Sequence, residues 1–253
     1  MTMKKMAALG LLLTFLLCAV SGAGAEGLVL LDLDAGLSDT PAEGVTFAGG
    51  VLSIQKAGEY LLSGTLENGQ VFVDCKDDGK VILHLNGLKA HCESGPALLV
   101  GYVSSRLEID LADGSENILS NGEGAVSAPD DQDGVIFSRS DLTIRGSGAL
   151  SVDAKVLNGI ASRDDIRIEG GKIDIQAAQH GIKGKDAVEI SGGDIVIRAG
   201  RDGIKATNKT DPDRGYLDIS GGKISLTFGD EAISFITSCR ITGGELYFNL
   251  DQD

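Results

Sequence analysis

The chain contains no tryptophan, four tyrosines and only 4% aromatic residues in total. Sites for neutral sugar chains usually rely on broad aromatic faces, so this composition argues against such a site. Basic residues are also scarce, with 22 Lys and Arg against 37 Asp and Glu and a net charge of −15. A chain this acidic is a poor candidate for nucleic acid or an anionic membrane. A polyanion could bind only at a local positive charge, which bound divalent cations commonly supply.

Long hydrophobic runs are absent after residue 25. Before it, Lys4 and Lys5 precede an uncharged apolar run over residues 6–20, and Ala23 and Ala25 form a cleavage signature. This pattern predicts a signal peptide over residues 1–25, because the run is too short for a comfortable membrane span. We therefore expect a secreted or cell-surface protein with one domain over residues 26–253 and no transmembrane segment after the signal.

Helical periodicity is also lacking, whereas glycine is abundant at 36 residues. Gly-Ile pairs start at residues 159, 181 and 203 and an Ala-Ile pair at 232, while Gly-Gly pairs start at 170, 192, 221 and 243. The spacings show a 22-residue unit with one seven-residue insertion near residues 207–215. A fixed period of this size is typical of a solenoid.

Apolar and polar residues alternate within each unit, which indicates half-buried strands. Stacked units would place Ile173, Ile195, Ile224 and Leu246 in one column. A sandwich of β-hairpins is the rival, but it does not require the same residue class every 22 residues. The sequence therefore predicts an all-β fold, a right-handed single-stranded parallel β-helix (solenoid) with ~22-residue rungs.

The N-terminal half is less regular. Short strands are predicted at 71–73, 81–85, 98–100 and 107–111, with turns at 77–79, 86–87 and 113–114. Residues 26–63 are predicted to form an N-terminal cap.

The cysteines carry no metal-ligand spacing. Cys239 is in phase with buried positions and is predicted to lie in the core. Cys75 and Cys92 are 17 residues apart. A disulfide between them is compatible with secretion, but the sequence leaves the pairing open.

Acidic and amide side chains recur beside the Gly-Ile pairs and in the insertion. Stacked carboxylates repel one another unless a cation lies between them, and Ca²⁺ takes six to eight oxygen ligands in flexible geometry. We therefore predict calcium ligands among Asp133, Asn158, Asp164, Asp165, Asp186, Asp202, Asp211 and Asp213. The predicted ligand-binding cations are Lys183, Lys185, Arg201 and Lys205, since stacked lysines beside calcium suit the carboxylates of a polyuronate.

Structural explanations compete with these assignments. Asp-Gly and Asn-Gly are ordinary turn dipeptides, and Lys183 and Lys205 could pair with Asp186 and Asp202. Lys172, Asp194, Lys223 and Glu245 are predicted to form a structural cross-strand charge series. His180 is predicted to be a turn residue and not a catalyst.

Several segments also resemble a known family. They are "YLLSGTLENGQVFVDCKDDGKVILHLNG" (60–87), "GPALLV" (95–100), "LADGSENILSNG" (111–122), "DGV" (133–135) and the Gly-Ile-Lys and Gly-Gly repeats. Together they resemble secreted bacterial carbohydrate-binding-domain-containing proteins over residues 55–250. The resemblance implies a calcium-binding parallel β-helix, similar in fold to family 9 pectate lyases, that binds polygalacturonate without cleaving it. Asn158, Ala161 and His180 depart from the Asp and Lys expected in such repeats.

The resulting prediction is a non-catalytic protein that holds pectin or another acidic polysaccharide through calcium and stacked lysines. One alternative is a calcium-dependent pectate lyase with Lys183 or Lys205 as the base. Another is a structural surface protein whose calcium only stabilises turns. The oligomeric state and the identity of the glycan do not follow from the sequence.

Overall fold

A computed structural model describes residues 27–125 and 132–250, and these residues form strands, turns and loops without a helix. The strands are β1 (Val29–Asp32), β2 (Val45–Ala48), β3 (Val51–Ile54), β4 (Gly58–Leu66), β5 (Gln70–Cys75), β6 (Val81–Cys92), β7 (Leu98–Val103), β8 (Leu107–Leu111), β9 (Glu116–Asn121), β10 (Gly134–Ser138), β11 (Leu142–Gly146), β12 (Ala149–Ala154), β13 (Asn158–Ser162), β14 (Asp165–Ile168), β15 (Lys172–Ala177), β16 (Ile182–Gly184), β17 (Ala187–Ile190), β18 (Asp194–Ala199), β19 (Ile204–Ala206), β20 (Tyr216–Ile219), β21 (Lys223–Phe228), β22 (Ile233–Ser234), β23 (Cys239–Ile241) and β24 (Glu245–Leu250).

The strands belong to two sheets. A nine-stranded sheet has the order β2-β3-β5-β7-β10-β13-β16-β19-β22. A fifteen-stranded sheet has two arms that meet at β6, one running through β8 to β23 and the other through β9 to β24. Each C-terminal repeat therefore contributes one strand to the nine-stranded sheet and one to each arm. Within the described residues, the strand pairs are parallel except for the antiparallel pair β2–β3.

The 22-residue repeat sets the strand register. Ile173 pairs with Ile195, Ile195 with Ile224, and Ile224 with Leu246, which confirms the predicted apolar column. The predicted charge series from Lys172 to Glu245 is also in register on the opposite face of these strands. Alternation therefore separates a buried apolar face from an exposed charged face in each strand.

The apolar faces pack into a continuous core. Ile173, Ile195 and Ile224 are at most 1% exposed, and this burial extends through the described chain from Leu31 to Leu226. The final strands are more open, since Ile241 and Phe248 are about half exposed. No helix in the described residues is long and apolar enough to span a membrane.

Glycine is required for different structural reasons in the Gly-Gly pairs and in the Gly-Ile pairs. In the Gly-Gly pairs the second glycine has positive φ, as at Gly171 (94°) and Gly193 (98°), a conformation that other residues rarely adopt. In the Gly-Ile pairs the glycine faces a packed neighbour. A Cβ on Gly181 would lie 2.2 Å from Cγ2 of Ile197.

Asn86 and Gly87 were predicted to form a turn, and this prediction is wrong, because both lie inside β6. The strand continues through an irregularity at which the amides of Gly87 and Leu88 donate to Oδ1 of Asn117, at 2.9 and 3.0 Å. The Asn117 side chain thus satisfies two amides that leave the ladder. Strand β6 can then pair with β8 along its first half and with β9 along its second.

Cys75 and Cys92 are both free thiols, and Cys239 is only partly buried against the core. The predicted signal peptide, residues 1–25, lies outside the described residues.

Candidate functional site

Positive side chains converge on the outer face of the nine-stranded sheet. One outward column contains Phe72, Leu99, Phe137, Ala161, Lys183 and Lys205, in register from β5 to β19. Beside it, Arg139, Arg163 and Lys185 follow β10, β13 and β16 at equivalent positions, since each backbone amide bonds to the preceding repeat. We call Arg139, Arg163, Lys183, Lys185 and Lys205 the cationic face. In a protein of net charge −15, these five cations are a local concentration of the opposite sign.

A pocket of about 470 Å³ opens on the cationic face. It is lined by Asp133, Phe137, Ser162, Arg163, Lys183, Lys185 and Thr207. The Phe137 ring is buried, and the Arg139 guanidinium lies 5.9 Å from its centroid. The pocket thus has an apolar base with charged walls, which suits a polar ligand that carries negative charge.

Two lysines of the cationic face form ion pairs. Nζ of Lys183 lies 2.5 Å from Oδ2 of Asp133, and Nζ of Lys205 lies 2.5 Å from Oδ2 of Asp202. Both lysine side chains remain about 30% exposed. The pairs hold the ammonium groups in place while leaving one side of each open to an anionic ligand.

The polar residues before the Gly-Ile pairs form a hydrogen-bonded ladder, which we define as Asn158, His180, Asp202 and Glu231. The amide of His180 donates to Oδ1 of Asn158 (3.0 Å), that of Asp202 to Nδ1 of His180 (3.2 Å), and that of Glu231 to Oδ1 of Asp202 (3.2 Å). The side chains of Asn158, His180 and Asp202 thus each accept from the backbone of the next repeat, and Glu231 ends the ladder as a backbone donor. This explains why Asn, His and Asp can replace one another there, since each offers a short-range acceptor.

His180 is held neutral in this ladder. Burial and, after it, the nearby positive charge of Lys205 together lower its pKa to about 4, against a smaller opposing effect of Asp202. Nδ1 accepts the Asp202 amide at 3.2 Å and also lies 3.3 Å from Oδ2 of Asp202, a carboxylate contact that opposes the effect of burial without outweighing it. The geometry and the depressed pKa therefore agree on a neutral ring.

Several carboxylates lie close together where the chain passes from the nine-stranded sheet to the arm of the fifteen-stranded sheet that runs from β8 to β23. Asp141, Asp164 and Asp165 each place an oxygen within 4.8 Å of the others, and we call them the acidic cluster. Burial raises the pKa of both Asp164 and Asp165, and the negative charge of Asp141 raises each further. Three clustered carboxylates are the kind of oxygen set that Ca²⁺ binds.

Protein cations partly neutralise this cluster. Asp165 lies 2.7 Å from Nη2 of Arg167 and 3.1 Å from Nη1 of Arg214, whereas Arg167 also reaches Asp141 at 3.2 Å. Two guanidinium groups thus face three carboxylates. No ion pair of Asp164 is found among the described residues, so its carboxylate is the best placed for an added cation.

The insertion folds against the same edge. Asn208 is buried, donates to Oδ1 of Asp186 at 2.7 Å and accepts from the amides of Thr210 and Asp211. Gly215 donates to the backbone oxygen of Asp186 at 2.6 Å, next to the Arg214 that pairs with Asp165. The insertion is therefore attached to the edge of the acidic cluster at both of its ends.

Comparison with known proteins identifies the family. A family model described as carbohydrate-binding domain-containing protein matches residues 48–252. The chain belongs to this family. A carbohydrate-binding domain-containing protein from Acetivibrio thermocellus is 37% identical over 97% of this chain and 91% of its own length.

A solved structure, described as the polysaccharide lyase-like protein from C. thermocellum in a gadolinium derivative, is similar to this family member. It is 31% identical with a TM-score of 0.74, and the match covers 89% of this chain and 96% of that one. The chain therefore belongs to a carbohydrate-binding family and is similar in fold to a polysaccharide lyase-like protein.

The residues that the sequence singled out in this family member fall into separate groups. Of the predicted metal ligands, Asn158 and Asp202 belong to the ladder, and Asp164 and Asp165 belong to the acidic cluster. Asp133 instead pairs with Lys183, and Asp186 accepts a hydrogen bond from Asn208 of the insertion. Asp211 and Asp213 are exposed in the insertion. Of the predicted cations, Lys183, Lys185 and Lys205 belong to the cationic face, whereas Arg201 pairs with Asp230 at 3.5 Å and is exposed.

Sequence reasoning missed Arg139, Arg163, Phe137 and Asp141. A signal for Asp141 exists, because "SRSDLTIRG" at 138–146 matches "SRDDIRIEG" at 162–170. The step there is 24 residues instead of 22, and the register confirms it by pairing Leu142 with Ile166. A search at one fixed period does not align these two segments.

Proposed function

We propose that this family member is a secreted, non-catalytic protein that binds an acidic plant cell-wall polysaccharide, polygalacturonate or pectin, on its cationic face. The observation that carries the proposal is the cationic face itself, with two parallel columns of cations beside a pocket in a strongly acidic protein. Carboxylates spaced along an extended glycan can each meet a cation there. The family match supports a carbohydrate as the ligand.

The proposal also includes the way in which the two sheets are arranged. We infer that the two sheets are the faces of a right-handed parallel β-helix, with right-handedness resting on the general rule for parallel crossovers. Adjacent strands then lie ~4.8 Å apart, so that cations at equivalent positions repeat at that spacing. A glycan running across the strands would meet one or two cations at every step.

Calcium is the proposed cofactor, and the acidic cluster is its best-supported position. Asp164 would be the first ligand, with Asp141 and Asp165 beside it and Asp186 in register on the next repeat. Bound calcium would relieve the mutual repulsion of the carboxylates and could also accept a uronate carboxylate.

The lysine geometry favours binding over cleavage. A lyase base must be a free amine, whereas Lys183 and Lys205 each lie 2.5 Å from a carboxylate in an ion pair. Release of unsaturated uronate from polygalacturonate by the purified protein would contradict the non-catalytic part of the proposal.

The test of the glycan is electrophoresis in a native gel cast with polygalacturonate, run with calcium and with a chelator. We expect retardation with calcium and its loss in the double variant Lys183→Ala, Lys185→Ala. The matched control is Lys172→Ala, which removes an exposed lysine from the fifteen-stranded sheet. This variant should be retarded as strongly as the wild-type protein. Unretarded migration of the unchanged protein in both gels would exclude polyuronate binding.

The test of the metal is calorimetric titration with calcium. Asp164→Asn keeps the shape of the side chain and removes its charge, so calcium affinity should fall at least tenfold. Asp174→Asn removes an exposed carboxylate from a distant strand and should leave the affinity within twofold. Equal affinity in both variants would place the ion elsewhere.

A further inference from the structure

A second group of reactive side chains lies on the fifteen-stranded sheet, away from the cationic face. A groove of about 290 Å³ crosses the outer face of this sheet from β4 through β6 to β9. It is lined by Thr65, Leu66, Glu67, Lys89, Ala90, His91, Ile118 and Ser120. None of these residues belongs to the cationic face, the ladder or the acidic cluster.

Ser120 and His91 meet in this groove because they are directly paired on neighbouring strands. Oγ of Ser120 lies 2.9 Å from Nδ1 of His91, and Nε2 of His91 lies 3.4 Å from Oε2 of Glu93. Glu93 is itself anchored, since its Oε1 accepts from the amide of Gly124 at 3.3 Å. A hydroxyl, an imidazole and a carboxylate thus follow one another in the order used for nucleophilic acyl transfer.

The carboxylate selects the tautomer of the histidine. An ionised Glu93 can only accept, so the hydrogen of a neutral His91 must be on Nε2. Nδ1 is then left to accept the hydrogen of the Ser120 hydroxyl, which is the role of a general base. The 3.4 Å separation from Glu93 is compatible with this role, because such contacts often tighten when a substrate binds.

Two further groups complete the groove. Lys89 is exposed on the same face as His91, two residues before it, and pairs with Ile118 of β9. Lys89 thus adds a positive charge to the groove that Ser120 also lines, and such a charge would favour an oxyanion formed there. Ile118 is 43% exposed and offers an apolar wall for a short acyl chain.

We propose that Ser120, His91 and Glu93 form an esterase site for short-chain carboxylic esters. Oγ of Ser120 adds to the ester carbonyl while its proton passes to Nδ1 of His91. The carbonyl–alkoxy bond then breaks, and the departing alcohol takes that proton. Water adds to the acyl-serine, gives a proton to His91, and releases the acid as the proton returns to Oγ.

The experiment measures hydrolysis of p-nitrophenyl acetate by the full chain and labelling of the protein by a fluorophosphonate. We expect catalysed hydrolysis and one label on Ser120, with Ser120→Ala and His91→Gln each lowering the rate about 10²-fold or more. Ser151→Ala is the matched control, because Ser151 is an exposed serine on the adjacent strand β12 and should leave the rate within twofold.

Circular dichroism separates loss of chemistry from loss of fold in each variant. A rate that is the same in the unchanged protein and in Ser120→Ala, or a label on a residue other than Ser120, overturns the esterase site. Neither result depends on polygalacturonate binding. The glycan proposal and this one can therefore fail independently.

Discussion

At the scale of single residues, the ladder shows how one structural need can be met by different side chains. Asn158, His180 and Asp202 each accept the backbone amide of the next repeat. From the sequence, Asn158 and Asp202 were predicted to be metal ligands, because an oxygen acceptor can serve either purpose, whereas His180 was predicted to be a turn residue. The backbone amides of the stacked repeats already occupy an acceptor of each of these three side chains.

His180 makes stability dependent on pH. Its pKa is about 4 in the folded chain and about 6.5 when unfolded. Between these values the unfolded chain binds a proton that the folded chain does not, so stability falls as the pH falls from 6.5 to 4. The expected loss is about 3 kcal/mol in the free energy of unfolding, measured by urea denaturation across that range.

His180→Asn is the control for this prediction. Asn158 shows that asparagine can accept the amide of the next repeat, and asparagine does not titrate. The variant should therefore lack this portion of the pH dependence. If it loses as much stability as the unchanged protein between pH 6.5 and 4, His180 is not the source.

Gly181 is expected to be intolerant of any side chain. A Cβ there would lie 2.2 Å from Cγ2 of Ile197 and 2.7 Å from the backbone oxygen of Gly203. Gly181→Ala should lower the free energy of unfolding by about 1–3 kcal/mol, because the core must shift to admit the methyl group. Gly95→Ala, where nothing lies within 4 Å, should change stability little. Similar urea midpoints for the two variants would contradict this account.

At the scale of elements, the insertion supplies a positive charge to a buried carboxylate. Arg214 pairs with Asp165 across 49 residues of sequence. Its guanidinium partly fills the role that a metal ion would have at the acidic cluster. Folding the insertion is thus coupled to neutralising the cluster.

Arg214→Ala should destabilise the protein by about 1 kcal/mol in the presence of a chelator, because Asp165 keeps only Arg167. If calcium binds the acidic cluster, adding it should restore part of that loss. Arg198→Ala, which removes an exposed pair with Asp174, should have little effect in either condition. Thermal unfolding with and without calcium gives both comparisons, and equal losses in the two variants would refute the coupling.

At the scale of the whole molecule, each repeat of the C-terminal half contacts mainly its neighbours, as in stacked repeat proteins. A central position is supported from both sides and a terminal one from a single side. Ile195 is fully buried between Ile173 and Ile224, whereas Leu246 is only partly buried in the last strand. Stability should therefore depend on position along the stack.

Ile195→Ala should cost about 2–5 kcal/mol, the usual range for a large core truncation. Leu246→Ala should cost clearly less, since part of its surface already contacts water. Urea denaturation of both variants measures the difference. Equal costs would mean that the last repeat is as well packed as the middle of the stack.

The regular part of the fold was predictable, and the irregular part was not. The column from Ile173 to Leu246 followed from spacing alone, because identical repeats place equal positions above one another. Asn86 and Gly87 misled the prediction, since the side chain of Asn117, thirty residues away, satisfies the amides that would otherwise favour a turn. Asp141 was missed because the step to its partner is 24 residues.

The sequence by itself determined the all-β character, the repeat, the register of the C-terminal strands and the acidic balance of the chain. These properties are periodic or additive, and they can be read without knowing which distant residues meet. Only the tertiary structure decided which polar residues share a site. It joined Arg139 and Arg163 to the lysines, Arg214 to Asp165, and Ser120 to His91. Such pairings depend on side-chain direction and on contacts between repeats, which a one-dimensional pattern does not contain.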